Sequence, residues 1–158
     1  MSAIEAASSA YAMAAAIDPQ MPEATKMRIQ AWAQLFEPED IAAADAVKAV
    51  QKYYSEANRF PIKPGDIIAG VKEMPITSSP TRIAAFIARW SEHPYSTAIQ
   101  QMTGMDWKPT WPLPAHVDPD NVDQVRAFHR AEFQQWIARH RDKLIRKALS
   151  NGEQLELL

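Results

Sequence analysis

Residues Ile29–Val71, IQAWAQLFEPEDIAAADAVKAVQKYYSEANRFPIKPGDIIAGV, decide the fold. Ile29, Trp32, Ala33 and Phe36 recur at steps of three and four, which sets them on one stripe of a helix. Trp32 is the expected anchor of that stripe. Glu37-Pro38 interrupts it, and Pro38 suits the first turn of a second helix, with Glu39 and Asp40 near its positive end. Ile41, Ala44, Val47, Val50, Tyr54 and Ala57 then form the expected inward face. One residue turns a helix by about 100°, so Tyr53 cannot share that face with Tyr54 and is left for a rim or partner contact. In the turn that follows, Phe60 and Ile62 are expected to plug the core. Pro61 and Pro64 bias the residues before them away from helical geometry, and Pro64 opens a third helix carrying Ile67, Ile68 and Val71. The predicted core is therefore Ile29, Trp32, Phe36, Ile41, Val47, Tyr54, Phe60, Ile67 and Val71.

Upstream, Pro22 and Glu23 mark the expected start of the first of these helices. Ser2–Ile17 is alanine-rich and ends at Asp18-Pro19, with Ile4, Ala7, Tyr11, Ala14 and Ala15 able to share a face. Its small side chains bury little area, so it is either a weakly docked helix or a frayed leader. Downstream, Ser78-Ser79-Pro80 offers a cap and a first-turn proline for a helix bearing Ile83, Phe86, Ile87 and Trp90. A short helix over 95–102 ends at Gly104. Residues 107–119 hold Trp107 and Trp111 among four prolines, which predicts an ordered strap over the helices or, as the alternative, a partner-recognition segment. Asp120 or Asn121 caps a final long helix whose interrupted stripe is Val122, Val125, Phe128, Trp136, Ile137, Leu144 and Ile145, and Asn151-Gly152 ends it. The expected architecture is all-α with five to seven helices. It divides into a leader (1–20), a three-helix core (21–75), a helical extension with the Pro/Trp loop (76–119), and a long amphipathic helix with a short flexible tail (120–158).

Composition narrows the classes. The chain has 158 residues, 47% of them hydrophobic, which is enough for a core. Four glycines against twelve prolines suit punctuated helices better than glycine hairpins. The absence of cysteine excludes disulfides, thiolate metal sites and thiol chemistry. No apolar run approaches the roughly 18 residues of a spanning helix, so no membrane role and a cytoplasmic address are the expectation. A net charge of −2 argues against broad sequence-independent DNA binding.

The order Trp32 and Leu35, Asp45-Ala46-Val47 and Tyr54, then Phe60-Pro61-Ile62-Lys63-Pro64-Gly65-Asp66-Ile67 resembles the amino-terminal domain of the bacteriophage replicative helicase loaders and inhibitors. It is also similar to small phage and prophage proteins of actinobacteria that carry the same phrase. The resemblance covers residues 22–73, and its motifs are apolar spacing and turn prolines. It implies a compact helical domain that binds a ring helicase in a bacterial cytoplasm without hydrolysing ATP.

Chemistry-bearing patterns are sparse. Gly65 and Gly70 stand alone, without the spacing that cradles phosphates. His129 and His140 lie about 16 Å apart along one helix and form no ligand pair. Asp118, Asp120 and Asp123 cluster where capping explains them. No catalytic, metal or cofactor site is predicted, and an adaptor is favoured over an enzyme. Arg139, Lys143, Arg146 and Lys147 occupy adjacent strips of the last helix beside Trp136. They read as a solvated helix end, an acidic-protein contact, or a surface for DNA phosphates. Gln154, Leu155, Leu157 and Leu158 resemble the peptide that binds the bacterial sliding clamp, with a frayed tail as the alternative. The long apolar stripe also allows dimerisation through this helix.

Overall fold

The computed structural model describes residues 2–156, and its regular structure is helical, with seven α-helices and no strand among those residues. The chain forms two compact units, divided between Met74 and Pro75.

The first unit is built from α1 (Ala3–Ile17), α2 (Lys26–Phe36), α3 (Ala43–Ser55) and α4 (Pro64–Glu73). Far from being a weakly docked leader, α1 is packed against both α2 and α3. Ala6, Ala7, Ala10 and Ala14 are fully buried, and the matching face of α3 presents Ala46, Ala49 and Val50. Alanine on both sides lets the backbones approach closely, so the contact comes from main-chain and methyl atoms rather than from large side chains. Tyr11 is the exception. Its ring meets Trp32 edge-on at 4.8 Å, and its hydroxyl donates to the Pro22 carbonyl at 2.5 Å.

That hydrogen bond explains a displaced boundary. Pro22 stays outside α2, which begins instead after Thr25, whose Oγ1 accepts the Arg28 N–H at 3.2 Å. The anchor is also shifted: Phe36 is fully buried, while Ile29 and Trp32 are only half-buried at the margin of the core. Pro38 does not open a helix either. It lies in a 3-10 turn over Glu37–Glu39, and Asp40 adopts the left-handed conformation with φ 48°. The helical run restarts only at Ala43. The inward face of α3 is accordingly Asp45, Ala46, Ala49 and Val50, with Ala44 exposed and Val47 half-buried. Ile41 is buried but belongs to the turn.

Pro64 does open α4, and the Lys63 N–H donates to the Asp66 carboxylate at 2.9 Å. Ile67 and Val71 fill the core as expected, and Gly70 sits where an added Cβ would stand 3.2 Å from Ala49 Cβ. Of the two expected turn plugs, Ile62 is buried, whereas Phe60 is 72% exposed. The Phe60 carbonyl accepts from the Tyr53 hydroxyl and the Ile62 N–H donates to that of Tyr54, which holds the turn with Ile62 seated and the Phe60 ring outward. Tyr54 is half-buried and hydrogen-bonded rather than apolar core.

The second unit contains α5 (Pro80–Trp90), α6 (Ala98–Thr103) and α7 (Val122–Glu156). Ser79 is fully buried and accepts the Arg82 N–H at 3.2 Å, with Pro80 in the first turn. Ile83 and Ile87 face the core, flanked by Phe86 and Trp90. Gly104, at φ +73°, closes α6 in the left-handed conformation. Asn121 Oδ1 accepts the Gln124 N–H at 3.2 Å and caps α7.

At 35 residues α7 is about 52 Å long. Its inward face is His129, Phe133, Ile137, Leu144 and Ala148; Val122, expected on the stripe, is 59% exposed. α5, α6 and the turn Ile76–Ser78 cover that face within the same unit. Asn151-Gly152 does not stop the helix. Asn151 Nδ2 donates to the Met102 carbonyl at 3.1 Å, and Gly152 is buried against Thr77. The pair therefore serves packing rather than termination. No helix among the described residues is long and apolar enough to cross a membrane.

Candidate functional site

In the first unit, the turn between α3 and α4 borders an apolar groove of about 420 Å³. Tyr11, Met21, Pro22 and Trp32 form one wall, Phe60, Pro61 and Ile62 the other, and Arg28 and Lys63 stand at the rim. Two tyrosines hold the second wall. Tyr53 donates its hydroxyl to the Phe60 carbonyl at 2.9 Å, and Tyr54 accepts the Ile62 N–H at 3.0 Å. Their rings meet edge-on at 5.1 Å. Tyr53, expected as a contact residue, thus fixes the backbone beneath Phe60. Trp32 leaves the core expectation and joins the groove. Phe60 is an apolar ring held out in solvent by a tied backbone, and such a group gains most from being covered by a partner.

The second unit gathers the remaining candidates in different ways. Trp107 is half-buried with its ring 5.0 Å from Phe133. Trp111 is 63% exposed, with its ring 5.4 Å from that of His129. The strap is therefore ordered, but only one of its tryptophans is seated. Trp136 stacks on Phe133 at 6.1 Å and meets His140 at 5.2 Å, so it is a member of this aromatic row rather than a free platform beside the cations. Arg139, Lys143, Arg146 and Lys147 are all exposed and form no ion pair among the described residues. Lys143, Arg146 and Lys147 share a shallow groove with Gln154. Gln154 and Leu155 continue α7 as helix, while Leu157 and Leu158 lie outside the described residues.

Spacing along the sequence presents His129 only as a metal ligand without a mate. In the fold it is the most buried polar ring among the described residues, at 1% exposure. Its Nε2 lies 3.2 Å from the Thr110 carbonyl, and its Nδ1 lies 2.7 Å from the Tyr95 hydroxyl. A carbonyl can only accept, so Nε2 carries a proton and donates to Thr110, while Nδ1 and the Tyr95 hydroxyl share the second hydrogen bond. Tyr95, Trp107, Trp111 and Phe128 surround it. The signal in the sequence was the density of aromatic residues between positions 90 and 136. What hid it was the azimuth of α7, which the apolar stripe placed on Phe128 instead. Compared with family models, curated proteins and solved structures, the chain matches none.

Proposed function

We propose that this chain is a non-enzymatic, phage-type DNA replication accessory protein that binds a replicative ring helicase and modulates its loading or activity. The observation that carries the proposal is Phe60, 72% exposed beside the Trp32–Pro61 groove, within the phrase on which the resemblance to helicase loaders rests. Covering one phenylalanine contributes about 1.5–3 kcal/mol, enough to make it the centre of a modest interface. Arg28 and Lys63 at the rim select a partner segment whose apolar residues are flanked by carboxylates. The test is a pull-down of a bacterial replicative helicase with the full chain, followed by loading and unwinding assays that separate loader from inhibitor. Phe60→Ala should weaken capture at least about tenfold without loss of helicity. Failure of the parent protein to associate at micromolar concentration overturns the proposal.

A second reading, a small DNA-binding regulator, is favoured by one feature: the four exposed cations Arg139, Lys143, Arg146 and Lys147, which form no ion pair among the described residues. It predicts duplex binding that falls steeply with salt and is lost when those four are neutralised. Absence of binding at low salt rejects it. The sliding-clamp contact through Gln154, Leu155, Leu157 and Leu158 belongs to the same replication setting, and titration of clamp with full-length and tail-deleted protein tests it separately.

A further inference from the structure

At the amino-terminal end of α7, Arg126 and Arg130 stand one helical turn apart and line a single cavity of about 400 Å³ together with Trp90, His93 and Tyr95. Neither arginine forms an ion pair among the described residues. One carboxylate, Glu92, lies on the cavity wall, and it is engaged elsewhere: Gln134 Nε2 donates to its Oε1 at 3.1 Å, one turn beyond Arg130. The cavity therefore presents two guanidinium groups against a single carboxylate that already has a partner.

Its aromatic wall is fixed in place. Tyr95 is 54% exposed, yet its hydroxyl is tied to buried His129 at 2.7 Å and its ring stands at 87° to the imidazole. Tyr95 also lines a second cavity, of about 210 Å³, with Trp107 and Trp136. Its ring is thus a partition between two hollows, locked at the hydroxyl and open on its surface. A planar ring held this way loses little freedom when another ring stacks on it.

We propose that this cavity binds a nucleotide, with the phosphate on Arg126 and Arg130 and the base against Tyr95. Paired guanidiniums one turn apart match the oxygens of a phosphate, and base stacking on an aromatic side chain is tolerant of base identity. The chemistry is shared by a free mononucleotide and by a nucleotide within a single strand. The proposal is independent of the groove at Phe60, which lies in the other unit.

The experiment titrates the full chain, by calorimetry at low salt, with adenosine monophosphate, adenosine, inorganic phosphate and a short oligodeoxyadenylate. Adenosine monophosphate should bind more tightly than adenosine or phosphate alone, since each supplies half of the contact. Arg126→Gln/Arg130→Gln should weaken it at least about tenfold while circular dichroism stays unchanged, because both side chains are exposed. Tyr95→Ala should weaken it to the level of inorganic phosphate. Tighter binding of the oligomer, lost in the same variants, identifies a strand as the source; mononucleotide binding without that gain identifies the free nucleotide. The proposal is overturned if neither probe binds, if phosphate binds as well as the nucleotide, or if either variant keeps the parent affinity.

Discussion

The phenolic oxygen of Tyr54 lies 2.7 Å from Oδ2 of Asp18 and accepts the Ile62 N–H at 3.0 Å, so one side chain of α3 joins the end of α1 to the turn before α4. Tyr54→Phe leaves that amide without its partner and frees the carboxylate. It should cost about 1–3 kcal/mol in urea unfolding. Burial raises the Tyr54 hydroxyl to about 12 from an ordinary 10.0, with the Ile62 N–H opposing and the Asp18 carboxylate reinforcing the shift. A raised folded-state value means that the protonated form stabilises the fold. That contribution is complete below pH 10 and is lost as pH rises towards 12. The stability gap between parent and Tyr54→Phe should therefore be flat to about pH 10 and then narrow. A gap that stays constant to high pH would exclude the latch.

The alanine interface makes a prediction opposite to that for an ordinary helix surface. Ala10 is fully buried where α1 packs against its neighbours, so Ala10→Leu overfills the contact and should destabilise the first unit by about 1–3 kcal/mol. Ile4→Ala, at a position 53% exposed, should be close to neutral. Equal urea midpoints for the two variants would mean that α1 is not seated.

Glycine inside a helix normally costs about 1 kcal/mol relative to alanine, so Gly152→Ala would ordinarily stabilise. Here the added Cβ would stand 2.6 Å from Thr77 Oγ1 and 3.0 Å from the Thr77 carbonyl oxygen, too close without movement of the turn. The expected result is a fall in thermal midpoint. Gly65→Ala is the contrast, because nothing lies within 4 Å of its Cβ position, and it should be neutral or gain a few tenths of a kcal/mol. A rise in midpoint for Gly152→Ala would show that the helix end is not docked there.

His129→Leu removes a buried ring together with its hydrogen bonds to the Thr110 carbonyl and the Tyr95 hydroxyl, and should cost about 1–3 kcal/mol. Tyr95→Phe leaves Nδ1 of a buried ring unpaired and should cost somewhat less. The two should be strongly non-additive. Once the imidazole is gone, the Tyr95 hydroxyl returns to water, and its removal should add almost nothing. Simple additivity in a double-mutant cycle would refute the coupling.

What was legible in the sequence follows from how local each signal is. Pro64, Ser79-Pro80 and Gly104 punctuate the chain where expected, because the backbone constraint acts within a residue or two. Pro22 and Pro38 misled for a complementary reason. A proline permits a helix start without requiring one, and Thr25 as a cap and Asp40 in the left-handed region fixed the starts instead. The importance of α1 was hidden because alanine has almost no directional pattern, and its partner stripe lies some thirty-five positions away in α3. The cations of α7 were readable as exposed from charge alone. The groove at Phe60 and the Tyr95 partition were not, since each is assembled from segments that only tertiary packing brings together.

The contact between Gly152 and Thr77 has a consequence for synthesis. All the helices of the first unit have been made once the ribosome passes Met74, so that unit can fold while translation continues. The second unit closes by bringing nearly its last helical turn against its opening turn, Ile76–Ser78. Until α7 has left the exit tunnel, Ile83, Ile87 and Ile99 lack the helix they pack against, and this half of the nascent chain depends longest on protection from aggregation.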